Sequence, residues 1–258
     1  MASGHLRRAT SSLLPALTGI ATLIGAFAVL EALLRAGLLN RYIIPLPSQV
    51  ALSFGRVIAE EHIPHRFAQT LGEAFAAGLL ATLAGFAIGV ALDRSRLLER
   101  AVGNWVAAFA AAPLVLAYPL FLVIFGRTSM TIIMLGFLSG IAPVILKTLE
   151  GLSAVRPVLL DVGRSFKLSP GQLFWKVQFP AAVPTIFVGI RLGLIFALIN
   201  VVGVEFLINF GGLGQLINDL AERYDLPGTY AAIAFVILVS VVIFAALERV
   251  EQWLRPSA

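Results

Sequence analysis

The chain has 258 residues, of which 59% are hydrophobic and 13% charged, with a formal net charge of +5 and a mean hydropathy of +0.93. Soluble domains average about 45–50% apolar and about 25% charged residues. This composition therefore excludes a disordered chain, disfavours an ordinary soluble enzyme, and leaves an integral membrane protein as the remaining class. There is no cysteine, so disulfides, thiolate zinc sites and cysteine nucleophiles are excluded. The basic excess contains no long basic run, which fits retention of basic loops on the cytoplasmic side and gives no footprint for nucleic acid.

A bilayer core of about 30 Å needs roughly 20 apolar residues per helix, and six stretches qualify. The first predicted span is 13–34, with Glu31 near its end, Ser12 as N-cap and Pro15 in the tolerated first turn. Arg7 and Arg8 before it and Ala26-Phe27-Ala28 within it mimic a signal peptide. The apolar run is too long for a signal core, which predicts an uncleaved helix. The second span is 68–92, with Glu73 near its start; the third is 102–125, uncharged, with Pro113 and Pro119. The fourth, 130–146, is short and interrupted by Pro143. The fifth, 181–208, carries Arg191 and Glu205, and the sixth is 230–247. These runs are continuous and do not alternate, so helices are predicted over barrel strands.

With the N-terminus inside, the inner segments hold twelve Lys and Arg residues, among them Arg94, Lys147, Arg164 and Arg249. The outer ones hold six: Arg35, Arg41, Arg56, Arg66, Arg127 and Arg223. The bias predicts that both termini are cytoplasmic. Gly85/Gly89, Gly136/Gly140 and Gly189/Gly193 let helix backbones approach in lipid, either as general packing or as a dimer seam.

The longest inner loop, 147–180, is patterned. Pro157 can open a helix, with Val158, Leu159, Val162 and Phe166 near one face and Asp161, Arg164 and Lys167 largely away from it. Ser169, Pro170 and Gln172 form a capping box for a second short helix. Pro180 and Pro184 then disfavour helix just before themselves. Two readings of the pair stay open on the pattern alone: amphipathic helices lying on lipid headgroups, or a docking element for a cytoplasmic partner.

Arg191 and Glu205 stand near one face of the fifth span, about 21 Å apart on a straight helix. That is too far for them to pair. Ionisable residues at such depth are functional candidates. Arg191 either attracts an anionic solute or holds the cytoplasmic end of the bundle together. Glu205 either lines a pathway or bonds a neighbouring helix or the glycine run, and Asn200 is a further polar candidate. Gly211, Gly212 and Gly214 stop the span, lead into a short outer helix over 215–224, and are compatible with a gate. His62 and His65 have a spacing that metal sites use, and also the commonplace character of loop histidines.

The order Asp161-Val162-Gly163, Ser169, then Phe179-Pro180-Ala181-Ala182-Val183-Pro184 resembles the "EAA" loop of ABC importer permeases. Gly189-Ile190-Arg191-Leu192-Gly193, Glu205, and Gly211-Gly212-Leu213-Gly214 resemble the nitrate/sulfonate/taurine branch. So do Leu46-Pro47-Ser48, Ala112-Pro113 and Pro119-Leu120. The resemblance runs from about Leu33 onward. The chain departs from the pattern with Asp161 for Glu, Val162-Gly163 for two alanines, Lys167 at the family glycine, and Glu73 where the branch usually shows Arg.

The resemblance implies an all-α integral membrane fold: six transmembrane helices in a type I ABC importer permease-like bundle, with a cytoplasmic coupling-helix loop. It implies a bacterial inner-membrane location and a homodimer of permease copies surrounded by membrane lipid. Asp161, Val162, Gly163, Phe166, Lys167, Leu168 and Ser169 would meet ATPase subunits, which would bind ATP and Mg. A periplasmic or lipid-anchored binding protein would deliver a small anionic solute past Arg191, Asn200, Glu205, Gly211, Gly212 and Gly214. The chain itself would bind no cofactor or metal and no nucleic acid, and would carry no catalytic residue. Independently of the resemblance, none of its lysines (Lys147, Lys167, Lys176) follows a P-loop glycine pattern, and neither HExxH nor GxSxG occurs. A stand-alone secondary carrier is the alternative, but it shows no internal repeat and gives no reason for the patterned loop. A membrane enzyme would need a paired acid–base constellation.

Overall fold

The computed structural model describes the backbone of residues 3–254 and the side chains of residues 17–253. Arg7, Arg8, Ser12, Pro15 and Arg255, used above for orientation and capping, lie outside the described side chains; the first helix runs Ser3–Arg35, so Ser12 stands inside it and not at its N-cap, and Pro15 is beyond its first turn. In chain order the elements are α1 (Ser3–Arg35), α2 (Pro47–Glu60), α3 (Ile63–Arg94), α4 (Arg96–Ala110), α5 (Tyr118–Phe125), α6 (Ser129–Ser153), α7 (Pro157–Ser165), α8 (Pro170–Leu173), α9 (Phe179–Ile208), α10 (Gly212–Glu222) and α11 (Leu226–Leu254). Among the described residues, five helices are long and apolar enough to cross a membrane. They become six if the bent pair α4/α5 is one span.

Four prolines explain where these helices differ from the predicted spans. At Pro113 the third stretch breaks, and α4 and the segment Leu114–Phe125 meet at 88°. Pro119 sits in the first turn of α5, where its missing N–H costs nothing. Pro143 does not end its span: α6 runs through it to Ser153, a tolerance that neighbouring helices provide in lipid. The predicted inner loop therefore begins after Ala154 and not at Lys147. Nor does Pro180 separate α8 from the fifth span. A π-helical turn, Phe174–Gln178, lies directly before α9. Its wider ring relieves the clash of a proline with the preceding turn, so helix continues from Pro170 to Ile208 over 39 residues. The second short helix is thus the first turn of a transmembrane element.

The chain divides into two compact units. One is drawn from Met1–Glu61 and Leu220–Ala234. In it, Glu31 near the end of α1 caps α2, accepting from Ser48 N–H at 2.9 Å and from its hydroxyl at 2.7 Å. Arg56 donates to Asp225 at 2.5 Å, a hydrogen bond that raises the guanidinium above its ordinary pKa. Arg223 donates to Glu61 at 2.8 Å. The amphipathic helix α2 had no counterpart in the predicted elements.

The second unit, His62–Asp219 with Phe235–Ala258, is built on α3, α6 and α9. In lipid, helices associate through close packing more than through the hydrophobic effect, and the paired glycines provide it. A Cβ on Gly140 would fall 2.6 Å from Gly193 O, and one on Gly193 would fall 2.7 Å from Gly140 O. Gly85 and Gly89 of α3 meet Val144 and Thr148 of α6 in the same way. All three glycine pairs are therefore spent on packing within the chain. Ala77, Ile132, Leu135, Ala197, Val201 and Val204 fill the core between these helices.

Candidate functional site

At one end of the three-helix unit, α7 begins at Pro157 and turns at Phe166 and Lys167. The turn requires a left-handed residue, and Lys167 supplies it with φ +54°, a conformation that costs a side chain roughly 1–2 kcal/mol. Lys167 N–H donates to Arg164 O at 2.8 Å and Leu168 N–H to Gly163 O at 3.3 Å. Ser169 then forms the capping box with Gln172. Gly163 is buried because Leu173 closes over it: a Cβ there would lie 2.5 Å from Leu173 Cδ1. Gly163 and Leu173 thus fold α7 against α8. By contrast Val158 is 62% exposed, Val162 48% and Phe166 76%. An apolar row stands free beside Asp161 and Arg164, which pair at 2.7 Å on the surface. Such an exposed pair contributes at most about 0.5 kcal/mol.

This element is rooted firmly. Phe174 is buried with Leu152, Val155, Ala182 and Ile186, packs edge-on against Trp175, and carries the Arg94 guanidinium 5.2 Å over its ring. Gln178 donates to Asp93 at 3.0 Å. The ends of α3 and α6 and the start of α9 are therefore joined beneath α7. From the sequence, Phe174 reads only as an apolar residue of the second short helix and Arg94 only as an inner-segment charge, and nothing marks Gln178 or Asp93. The distances along the chain conceal them, although an aromatic at the foot of a patterned loop was a usable signal.

Within α9, Arg191 Nη1 stands 2.9 Å from Glu251 Oε2 of α11, with the side chains 24% and 4% exposed. Asn200 is half-buried and donates back to Phe196 O at 3.0 Å. At the far end, Glu205 is fully buried. Its Oε2 accepts from Thr70 of α3 at 2.9 Å and from Gly214 N–H at 2.8 Å. Of its two sequence readings, the bonds to a neighbouring helix and to the glycine run are both present. Asn209 ends α9 in the left-handed region with φ +51°; Gly211 and Gly212 follow with φ +64° and +68°. Their N–H groups donate to Gln215 and Gln69 at 2.5 and 3.2 Å, and Leu213 N–H donates to Thr70 at 2.8 Å. The first N–H groups of α10, which a helix leaves open, are thus met by α3 and α9. Helix α10 starts at Gly212, three residues before the predicted outer helix.

Beside this network lies an open cleft of about 450 Å³, lined by His62, His65, Arg66, Gln69, Gly211, Gly212 and Gln215. His62 is left-handed, φ +50°, and Arg66 is held by Asp219 at 2.9 Å.

The arrangement has an exposed apolar row rooted in three helix ends, and a polar clasp at the other end of the same helices. Residues 67–256 match the family model described as the binding-protein-dependent transport system inner membrane component. A probable ABC transporter permease protein of Brucella melitensis is 29% identical over 72% of this chain and 80% of its own length. The taurine transport system permease protein TauC of Escherichia coli is 26% identical over 68% of this chain and 64% of its own. A solved inward-facing MetNI methionine ABC transporter shares the fold, with a TM-score of 0.62 and 22% identity over 72% of this chain and 93% of that one.

Proposed function

The chain belongs to the binding-protein-dependent transport inner-membrane family, the permease subunits of ABC importers, and from that premise we propose that two copies of it form the path for a small anionic solute. The single observation that carries the mechanism is the exposed row Val158, Val162 and Phe166 on α7, rooted through Phe174 and Gln178 in α3, α6 and α9. An apolar knob projecting from a basic face fits a groove on a nucleotide-binding partner. Asp161, Lys167, Leu168 and Ser169 rim the contact, and Gly163 shapes it from within. ATP binding and hydrolysis belong to the partner, and the motion reaches the membrane helices through the roots of α7. Both termini lie on the partner's side, in keeping with the Lys and Arg bias.

A binding protein delivers the solute at the α10 end. The cleft with His62, His65 and Arg66 supports a solute that carries an anionic group, as does the likeness to a permease named for taurine, whose sulfonate is such a group. Glu205, Gly211, Gly212 and Gly214 act there as a clasp whose opening admits solute, and Asn200 is a polar contact on the way. Arg191, engaged by Glu251, serves the bundle more than the solute.

The test is to co-express the chain with the ATPase encoded beside it and to measure binding and solute-stimulated ATP hydrolysis in nanodiscs. Phe166→Asp and Asp161→Lys should lose the ATPase while the membrane helices stay folded. Transport by the wild-type chain without any ATPase would overturn the reading in favour of a stand-alone carrier.

A further inference from the structure

The clasp contains a second carboxyl group. Glu73 of α3 is buried, with 5% of its surface exposed, and Glu205 is fully buried. The two are brought together through Gln69 and Gly212: Gln69 donates to Glu73 and accepts from Gly212 N–H, and Gly212 lies directly against Glu205 Oε1. Each has one oxygen accounted for: Glu73 Oε1 accepts from Gln69 at 3.3 Å, and Glu205 Oε2 accepts from Thr70 and Gly214. Each has one oxygen, Glu73 Oε2 and Glu205 Oε1, that is buried and receives no hydrogen bond from the protein.

The groups facing the pair are few. From α3 come Gln69 and Thr70; from the start of α6 comes the Ser129 hydroxyl beside Glu73; from α10 come backbone N–H groups. The nearby cations are engaged elsewhere: Arg66 with Asp219 and Arg127 with Asn209 O. His62 and His65 line the neighbouring cleft. Among the described residues, no ion pair reaches either carboxyl.

Two adjacent buried carboxylates with no counter-charge cannot both ionise cheaply, and a hydrogen bond between two carboxyl groups requires a proton on one of them. We infer that Glu73 and Glu205 form a proton-binding site, in which one shared proton joins Glu73 Oε2 to Glu205 Oε1 and fastens the Gly211–Gly214 segment to α3 and α9. The proton belongs to the pair and not to either residue. Removing it places two negative charges face to face under the first turn of α10, so the clasp loosens as pH rises. Gln at either position supplies a permanent N–H donor in place of the proton.

The experiment uses the full-length permease purified in nanodiscs. Infrared spectra at neutral pH should show a protonated carboxyl band that shifts in D2O and disappears in both Glu73→Gln and Glu205→Gln. Thermal unfolding of the wild type should shift to lower temperature as pH is raised. Glu73→Gln should match the wild type at neutral pH and lose that shift. Replacing sodium by choline should change neither result. The proposal is overturned if neither variant removes a carboxyl band, if the alkaline shift persists in Glu73→Gln, or if the stability follows sodium and not protons. Should Glu205→Gln fail to fold, the Glu73→Gln comparison decides alone, because that residue makes no bond to the glycine segment.

Discussion

Truncating either member of the Arg191–Glu251 pair should be among the most damaging single changes in the membrane helices. The guanidinium and carboxylate approach to 2.9 Å, and the Glu251 side chain is 4% exposed. At that distance and an effective dielectric of about 20, the attraction is about 6 kcal/mol before desolvation is subtracted. Breaking a buried pair by removing one partner typically costs about 3–5 kcal/mol, whereas replacing both with apolar side chains of similar volume is often neutral or stabilising. Arg191→Ala and Glu251→Ala should therefore each lose about 3–5 kcal/mol, and the double variant Arg191→Leu/Glu251→Leu should recover most of it. The assay is equilibrium unfolding of the purified chain in mixed micelles, run as a double-mutant cycle. If the losses of the single Ala variants simply add in Arg191→Ala/Glu251→Ala, the side chains are not coupled. The assignment of Arg191 to holding the bundle would then be refuted.

Gly140→Val should destabilise by about 1–3 kcal/mol or more, because the new Cβ meets the Gly193 carbonyl and backbone cannot swing aside. Gly103→Ala, in mid-helix of α4 with nothing within 4 Å, should stabilise by roughly 0.5–1 kcal/mol; the same unfolding assay reads both. Lys167→Gly should stabilise the turn by up to about 1 kcal/mol by removing a Cβ from the left-handed region. Unchanged or reduced protection of the Lys167 and Leu168 amides in hydrogen exchange would contradict this. Gln178→Leu removes the bond to Asp93; the ATPase should still bind, but solute transported per ATP hydrolysed should fall several-fold.

Legibility followed the range of the interactions. The start of α7 at Pro157 and the cap at Ser169 were readable because a proline at a helix start and a capping box are decided within four residues. The same local rule misled at Pro143 and Pro180. There the cost of a proline is absorbed by neighbouring helices and by a π turn, neither of which is local. Arg191 and Glu205 could be flagged as costly residues in a membrane, but their partners could not be named. Glu251 stands sixty residues on from Arg191, and Thr70 lies 135 residues before Glu205. Helix α2 was missed because its apolar stripe is half a surface helix and not a span.

Those long-range bonds share one property that bears on transport. Helix α9 is fastened at its start by Phe174 and Gln178 to α3 and α6, and at its end by Glu205 to Thr70 and Gly214. Between these points the Gly140–Gly193 contact leaves no slack for the helices to slide. Packed interfaces of this kind switch between discrete arrangements and do not deform gradually. A displacement imposed on α7 therefore has to be carried by the α3–α6–α9 unit as a body. The clasp at α10 is where that movement meets bonds that can open: beside the close approach of Gly214 to the α9 backbone, its first turn is held by hydrogen bonds from backbone N–H groups to Thr70 and Glu205.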